Sequence, residues 1–593
     1  MMDRKVRTIL GVSAFYHDST AAIIHNGRVI ALCEEERFNL QKHTNALPSE
    51  AVKYCLQKAG IAAADVDELV FYFNPWICLG QYLLKNNPLS LLYDFKRWQQ
   101  GRFFFEAVWL ANFWKDMSSI KRRLGCKNAR LTYMPHTMCH VWYGIYSMPE
   151  ESGVVLSNDS MGEYTGVYAA KIDSVLTKGI RSHIKYRKLF RHPDPHSIGY
   201  LYGAFTKLLG FRTGHHEGKV MALASFEKNG AGEEMYNYLK KYIKIKADGQ
   251  FRFRNGLVLE RGYGHFSQRL GKKILQVLNY NPILDRPDSE KSFSICYALQ
   301  KLTNDLIAHQ IQGIIKLTNA KCIVHVGGVA QNSVANGFIA RKFPHIRIHV
   351  PPVPHDAGCA LGAAIKKYHD IYNELPVRDE TAFLGPASDD GEIISRLSKY
   401  GIKYELLDAS AAIERLISLL ASGKTVAIHD EGMECGPRAL GHRTILADPS
   451  FEWMKDHLNN NVKYREWYRP YGAIISEDHV RNVMKIDCDV IDADYMSFVY
   501  DVKDEWKKRI PSLIHIDGTC RTQVIRKAHQ PFIYNLLYGF NALKSVPVLI
   551  NTSLNVRSQP ICRSIEDSIS AVFTSQLDGI LFNQKILVMK DQI

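Results

Sequence analysis

Apolar and polar positions alternate along the chain in a pattern that predicts strands and helices in turn. Residues 8–32, "TILGVSAFYHDSTAAIIHNGRVIAL", read as an apolar strand, a small polar turn carrying an acid, a second strand, an Asn-Gly turn and a third strand. Asn-Gly between two apolar runs is a strong hairpin signal. Residues 153–175, "GVVLSNDSMGEYTGVYAAKIDSV", repeat the order strand, acidic turn, strand. Residues 321–343, "KCIVHVGGVAQNSVANGFIARKF", predict a strand, a Gly-Gly turn and a helix, and residues 346–369 repeat this with the loop "PPVPHDAG" before an Ala-rich helix. A strand that ends in a glycine or Asp loop and opens a helix is where α/β folds hold phosphates.

A strand–acidic turn–strand unit used twice is what a duplicated, two-lobed nucleotide-binding fold of the actin or sugar-kinase type would show. Two unrelated hairpins would give the same pattern. Around residues 375–392 a polar stretch marked by Pro and Gly predicts a linker. Beyond it the pattern restarts with a helix, "AAIERLISLLASG", a strand, "KTVAIHD", and loops rich in glycine and arginine. Two units are therefore expected, residues 1–385 and 393–593, in the α/β class. Residues 73–132 mix aromatic and basic side chains, as in "DFKRWQQGRFFFEAVWLANFWKDMSSIKRR". Such a stripe suits helices packed on a core; it also suits the wall of a substrate cleft or a partner site.

The length of 593 residues accommodates two or more cores, and 46% hydrophobic with 23% charged residues is a globular composition. No apolar run approaches the roughly 20 residues of a membrane span. The nearest, "FFFEAVWLANFW" at 103–114, is interrupted by Glu106, and the N-terminal pattern is not that of a signal peptide. Twelve scattered cysteines with no CxxC pair suggest buried, reduced thiols in a cytoplasmic protein. A net charge of +15 permits nucleic-acid binding but equally suits a phosphorylated small substrate. With no basic tail, neither a nucleic-acid nor a membrane partner is expected, and a homo-oligomer is compatible with the sequence.

Chemistry concentrates in two places. In "YMPHTMCHVWYGIYSM", residues 133–148, His136 and His140 stand four apart on a predicted helix, so both imidazoles can reach one metal ion. The same spacing describes an ordinary structural pair unless a third ligand exists. His355 and Asp356 of "PPVPHDAG", or Asp159 of "SNDSMGE", could supply it, and imidazoles with carboxylate oxygen suit iron, zinc or manganese. In the second half, "GMECGPRALGHRTILADPS", "NNVKYREWYRPYGAII", "DGTCRTQVI" and "PVLINTSLN" each put cationic, hydroxyl or amide groups in a short loop. Converging arginines make a site for a compact anion; four unrelated surface loops are the alternative.

Taken in order, "FYHDSTAAII…EEERF", "HTMCH", "EGKVMALAS", "GGVAQNSVANG", "PPVPHDAGCALGAA", "GPRALGHRTILADP", "VKYREWYRP" and "NTSLN" resemble the O-carbamoyltransferases. That family includes the NodU nodulation-factor enzymes and the tobramycin and cephamycin carbamoyltransferases. The resemblance covers nearly the whole chain except 73–132. It implies an actin-like (ASKHA) duplicated domain followed by a YrdC-like α/β domain. It implies ATP as co-substrate, with carbamoyl phosphate giving carbamoyl-adenylate and pyrophosphate, and then transfer to a hydroxyl of a small natural product with loss of AMP. Carried over by motif, Arg438, Lys463, Arg469, Arg521 and Ser553 would grip carbamoyl phosphate, with Arg438 and Arg521 acting in catalysis. His136, His140 and Asp356, with Asp159 nearby, would hold one divalent metal, iron first, zinc or manganese as alternatives; Mg could accompany ATP. Glu217, Lys219, Gly327, Gly328 and Asn332 would cradle the nucleotide. His17 would be the base for the acceptor hydroxyl, a role that suits a neutral imidazole. One departure stands out: after "NTSLN" the family carries a Gly-Glu-Pro stretch where this chain has Ser558 and Gln559 before the proline. Rival readings are a tRNA threonylcarbamoyl-type transferase, a non-catalytic nucleotide-binding protein and a sugar kinase, the last needing no second half.

Overall fold

A computed structural model describes residues 7–77, 115–163, 165–177, 180–258, 270–377 and 381–592. The first sheet joins β1 (Thr8–Ser13), β2 (Thr20–His25), β3 (Arg28–Glu34), β4 (Glu68–Phe71) and β5 (Arg130–Tyr133) in the order β3-β2-β1-β4-β5. The β1–β2 and β2–β3 pairs are antiparallel, and β1–β4 and β4–β5 are parallel. Asn26 and Gly27 both have positive φ, 50° and 79°, so the predicted hairpin turn has the twist that matches its strands.

The second sheet joins β6 (Ser152–Asn158), β7 (Thr165–Thr177), β8 (Ile180–Pro193), β9 (Cys322–Val326) and β10 (Arg347–His349), with β6 central, the β7–β8 hairpin on one side and parallel β9 and β10 on the other. Strand order and directions are those of the first sheet. The repeated hairpin is therefore a repeated domain half, the duplicated actin-like arrangement, and not two unrelated hairpins.

Between the sheets lie α1 (His136–Ser147) and α2 (Ala357–Tyr372). α2 packs on β1, β2 and β4, α1 packs on β6, β7 and β9, and the two helices pack on each other. They meet at backbone distance: a Cβ on Gly362 would fall 1.9 Å from the Cys139 carbonyl oxygen, and one on Gly11 would fall 1.9 Å from that of Ala360. α1 starts after Pro135 with no side-chain cap from its own flank. Glu163 supplies one from the β6–β7 loop, accepting the His136 N–H at 2.9 Å and the Asn74 N–H at 2.6 Å.

The third sheet has ten strands and takes its residues from Glu405 to Met589. Its middle runs Val426–His429, Arg443–Ala447, Val548–Ser553, Gly472–Ser476, Thr519–Ile525. The stretch read as a linker at 375–392 is partly structured. Val377 bridges to Arg28, and a helix spans Asp390–Lys399. Asp389 accepts the Glu392 N–H at 2.8 Å, so an N-cap signal overrode the linker composition. The two halves are tied by Asn336, which donates to the Ser497 carbonyl at 2.9 Å, and by Gly337, whose missing Cβ admits the Val499 carbonyl. Most of the aromatic and basic region, residues 78–114, lies outside the described residues. Among the described residues eleven cysteines are free and buried, and no helix is long and apolar enough to cross a membrane.

Gly362→Ala is expected to cost about 3 kcal/mol of stability, the upper end for overpacking, because the Cβ would meet backbone atoms. Gly218→Ala, where an added Cβ meets nothing within 4 Å, should be neutral or stabilise by up to about 1 kcal/mol. Equal denaturant midpoints for the two variants would refute the packing account.

Candidate active site and metal centre

The predicted helix places His136 and His140 one turn apart, facing the first turn of α2. His140 is completely buried, and no well-formed hydrogen bond reaches either of its ring nitrogens. Its Nε2 stands 3.4 Å from Asp356 Oδ1 and 3.7 Å from Asp159 Oδ2. His136 Nε2 lies 3.0 Å from Asp159 Oδ2 and 3.6 Å from Asp356 Oδ1. All four residues predicted at this centre thus meet. His136, His140, Asp356 and Cys359 offer donor atoms within 4.8 Å of one another. Burial opposes charging of both rings, but the neighbouring carboxylates prevail and raise both, His140 to about 9. An orphaned imidazole among carboxylates is a donor set that fits a divalent transition ion. His355, the other ligand candidate in that loop, is buried with an unpartnered Nδ1, and desolvation holds its ring below the ordinary imidazole value.

His17 adjoins this centre. Its Nε2 is 3.6 Å from Asp356 Oδ2, its Nδ1 is 2.9 Å from Asp18 Oδ2, and its side chain stays 40% exposed. Asp18 in turn meets His43 Nδ1 at 2.6 Å, and the His43 N–H donates to Glu36 at 2.7 Å. Burial lowers the His17 pKa, but Asp356 and Asp18 raise it more, to about 10. That differs from the neutral imidazole assumed for a base: without a cation on Asp356, the ring is held protonated. The sequence reading also missed Asp18 and His43. "FYHDS" shows Asp18, but only the fold returns His43 to it.

The Gly327–Gly328 turn sits against the end of β6. Gly327 has φ 89° and its missing Cβ leaves room for the Asn158 backbone, while the Gly328 N–H donates to Asp159 Oδ1 at 3.2 Å. Asn332 caps the helix Ser333–Lys342 and bonds Gln300. Glu217 and Lys219 make contacts of their own. Glu217 accepts the Gly214 N–H at 2.7 Å, and Lys219 pairs at 2.6 Å with Glu466 of the second half.

The second half gathers its cations. Glu434 is buried and accepts the N–H groups of Leu440, His442 and Arg443 at 2.8 to 2.9 Å, wrapping the "GPRALGHR" loop around one carboxylate. Gln523 and Asn551, in the strands on either side of Gly472–Ser476, donate to the carbonyls of Leu440 and Ala439. Arg438 is thereby held beside the nucleotide-loop candidate, 3.5 Å from the Gln331 carbonyl. Desolvation and then Arg469 lower its pKa to about 10; desolvation, Arg438, Arg465 and Arg469 press Arg521 down in the same way. Lys463 is buried, also lowered by desolvation and Arg465, and donates to the Ser553 carbonyl at 2.7 Å and the Asn555 carbonyl at 2.8 Å. Ser553 Oγ lies 3.4 Å from the same ammonium. All five predicted anion-gripping residues therefore share one region. Arg465, from the same motif as Lys463 and Arg469, and Lys42, from the first half, add charge that the sequence reading passed over. Arg438, Arg469 and Arg521 each keep part of their surface open, so crowded cations face a cleft. Like charges are brought together this way when an anion completes them.

A cavity of about 380 Å³ adjoins Arg521 and is walled from both halves, by Phe226, Gln300 and Ser333 on one side and Tyr468 and His515 on the other. The Ser558 and Gln559 departure is accommodated: the left-handed residue of that turn is Arg557, φ 52°, and Asn555 closes the turn onto the Gln559 carbonyl at 2.8 Å.

Two family models match, carbamoyltransferase N-terminus over residues 8–365 and carbamoyltransferase C-terminus over residues 417–590. The chain belongs to the carbamoyltransferase family. It is 27% identical over 580 residues to nodulation protein NolNO of Sinorhizobium fredii, covering 97% of this chain and 79% of that protein. An uncharacterized protein of Synechocystis sp. is 29% identical, covering 98% of this chain and 97% of its own length. Among solved structures, component A of the Acidaminococcus fermentans (R)-2-hydroxyglutaryl-CoA dehydratase is 14% identical with a TM-score of 0.30, covering 62% of this chain and 99% of that one. As a carbamoyltransferase the chain takes a carbamoyl donor and an acceptor.

If an anion completes the cluster, pyrophosphate should stabilise the carbamoyltransferase by about 2.7 kcal/mol at a hundredfold excess over Kd. Arg438→Met, which gives up only one long contact, should leave the ligand-free Tm no lower than wild type and abolish that shift. Thermal denaturation checks both; a lower ligand-free Tm in the variant would contradict the crowding.

Proposed function

We propose that the chain is an ATP-dependent O-carbamoyltransferase that works at two adjacent sites, one in residues 393–593 and one in residues 1–385. At the cation cluster, carbamoyl phosphate and ATP react to give carbamoyl-adenylate and pyrophosphate, with one water consumed and the donor's phosphate released. Arg438 and Arg521 hold and stabilise phosphate charge there, with Lys463, Arg469 and Ser553 completing the grip. The aromatic and amide lining of the cavity beside Arg521 supports a nucleoside binding between the halves.

The intermediate then meets the acceptor beside His17. The hydroxyl oxygen attacks the carbamoyl carbon, the bond to the AMP phosphate breaks, and His17 Nε2 takes the hydroxyl proton. Asp18 orients the ring through Nδ1. A divalent ion held by His136, His140 and Asp356 would neutralise phosphate charge on the leaving AMP. Asp356, the carboxylate that raises His17 most, is one an ion would engage, which supports a base that gains competence in the metal-loaded protein. The observation that carries the reading is Arg438 against the Gln331 carbonyl, which sets the anion cluster directly beside the Gly327–Asn332 loop. The acceptor is a small hydroxylated natural product; nodulation proteins among the relatives support this class.

Pyrophosphate release from ATP should require carbamoyl phosphate and fall at least about a hundredfold in Arg438→Ala. His17→Asn should retain that release while carbamoyl transfer drops by about a hundredfold or more. Loss of both activities together in His17→Asn would sink the division into two sites.

A further inference from the structure

The metal centre contains a donor that the resemblance does not assign. Cys359 follows Asp356 by three residues, so both lie on the first turn of α2 and face α1. Its Sγ is 3.9 Å from His136 Nδ1, and it belongs with His136, His140 and Asp356 to the group whose donor atoms lie within 4.8 Å of one another. All four are buried. The Gly362–Cys139 contact, one turn further along α2, lets the helices approach at backbone distance and so brings the thiol within reach of α1. His136 Nε2 is already engaged by Asp159 at 3.0 Å, a hydrogen-bond length, and the orphaned His140 ring points into the same group. With Asp159 on Nε2, the other ring nitrogen, Nδ1, faces Cys359 Sγ, and an outer carboxylate orients metal-binding histidines in this way.

We propose that Cys359 supplies a thiolate to this centre, giving two imidazoles, one carboxylate and one sulfur, with Asp159 acting as the hydrogen-bond partner that orients His136. The inference rests on the metal reading of the preceding section. Coordination forms one metal–sulfur bond, and the thiol proton leaves to solvent. Thiolate and carboxylate together balance a dication. A sulfur donor favours zinc, cobalt and iron over magnesium and manganese, which prefer oxygen.

The test is cobalt(II) titration of the full-length, chelator-stripped protein without added thiols, followed by absorption and bound-metal analysis. Stoichiometric cobalt with a near-ultraviolet sulfur-to-cobalt charge-transfer band is expected in wild type. The band should persist in Cys139→Ala, whose Sγ instead faces the Pro135 and Tyr72 carbonyls. In Cys359→Ser it should vanish, with cobalt bound about tenfold or more weakly. Stoichiometric cobalt without the band in wild type would overturn the thiolate and return the fourth place to Asp159. Failure to bind cobalt at all would overturn the metal reading and this inference with it. A band that survives in Cys359→Ser would assign the sulfur to another residue and refute the proposal.

Discussion

Everything at the candidate metal centre depends on two helices touching backbone to backbone. Side chains of ordinary size would hold α1 and α2 about 8–10 Å apart, and Asp356 and Cys359 would then fall short of His136 and His140. Gly362 removes that spacer. Gly11 does the same beneath α2, so the helix is seated on β1 and α1 together. The duplicated sheets give the two helices their platforms, and the glycines set how closely the platforms approach.

The second site obeys the opposite logic. Its cations are crowded and desolvated, which costs stability in the free protein and would be recovered by a bound anion. Buried amides and one carboxylate hold the loops in place: Glu434, Gln523 and Asn551 shape the arginine loop without touching the cleft. Rigid polar support behind, crowded positive charge in front, is an arrangement suited to binding phosphate groups.

Much of this was legible in the sequence. Strand-turn-strand units, the Asn26-Gly27 turn and the Gly-Gly loop predicted elements that form where expected, because local turn chemistry and apolar periodicity decide them. The histidine pair was legible as a helix face, and the arginine motifs as loops that gather their cations. What escaped detection depends on distance in three dimensions. His43 reaches Asp18 from 25 residues away. Lys42 belongs to the first half but is crowded by Arg438 and Arg469 of the second. The capture of Lys219 by Glu466 follows from how the halves dock. Asp389 turned an apparent linker into a helix start, where one capping bond outweighed composition.

The halves are also stitched by a reciprocal pair of bonds. The Gly436 N–H donates to Glu34 at 2.7 Å, and Arg37, itself buried, donates back to the Gly436 carbonyl at 2.7 Å. Glu34 closes the last strand of the first hairpin, and Gly436 opens the loop that carries Arg438. Severed from each other, the halves would expose a glutamate and an arginine with no partner for the backbone between them. The chain is thus a poor candidate for modular exchange: a graft from a relative would have to carry both sides of this seam, so the two sites are constrained to diversify as one inherited unit.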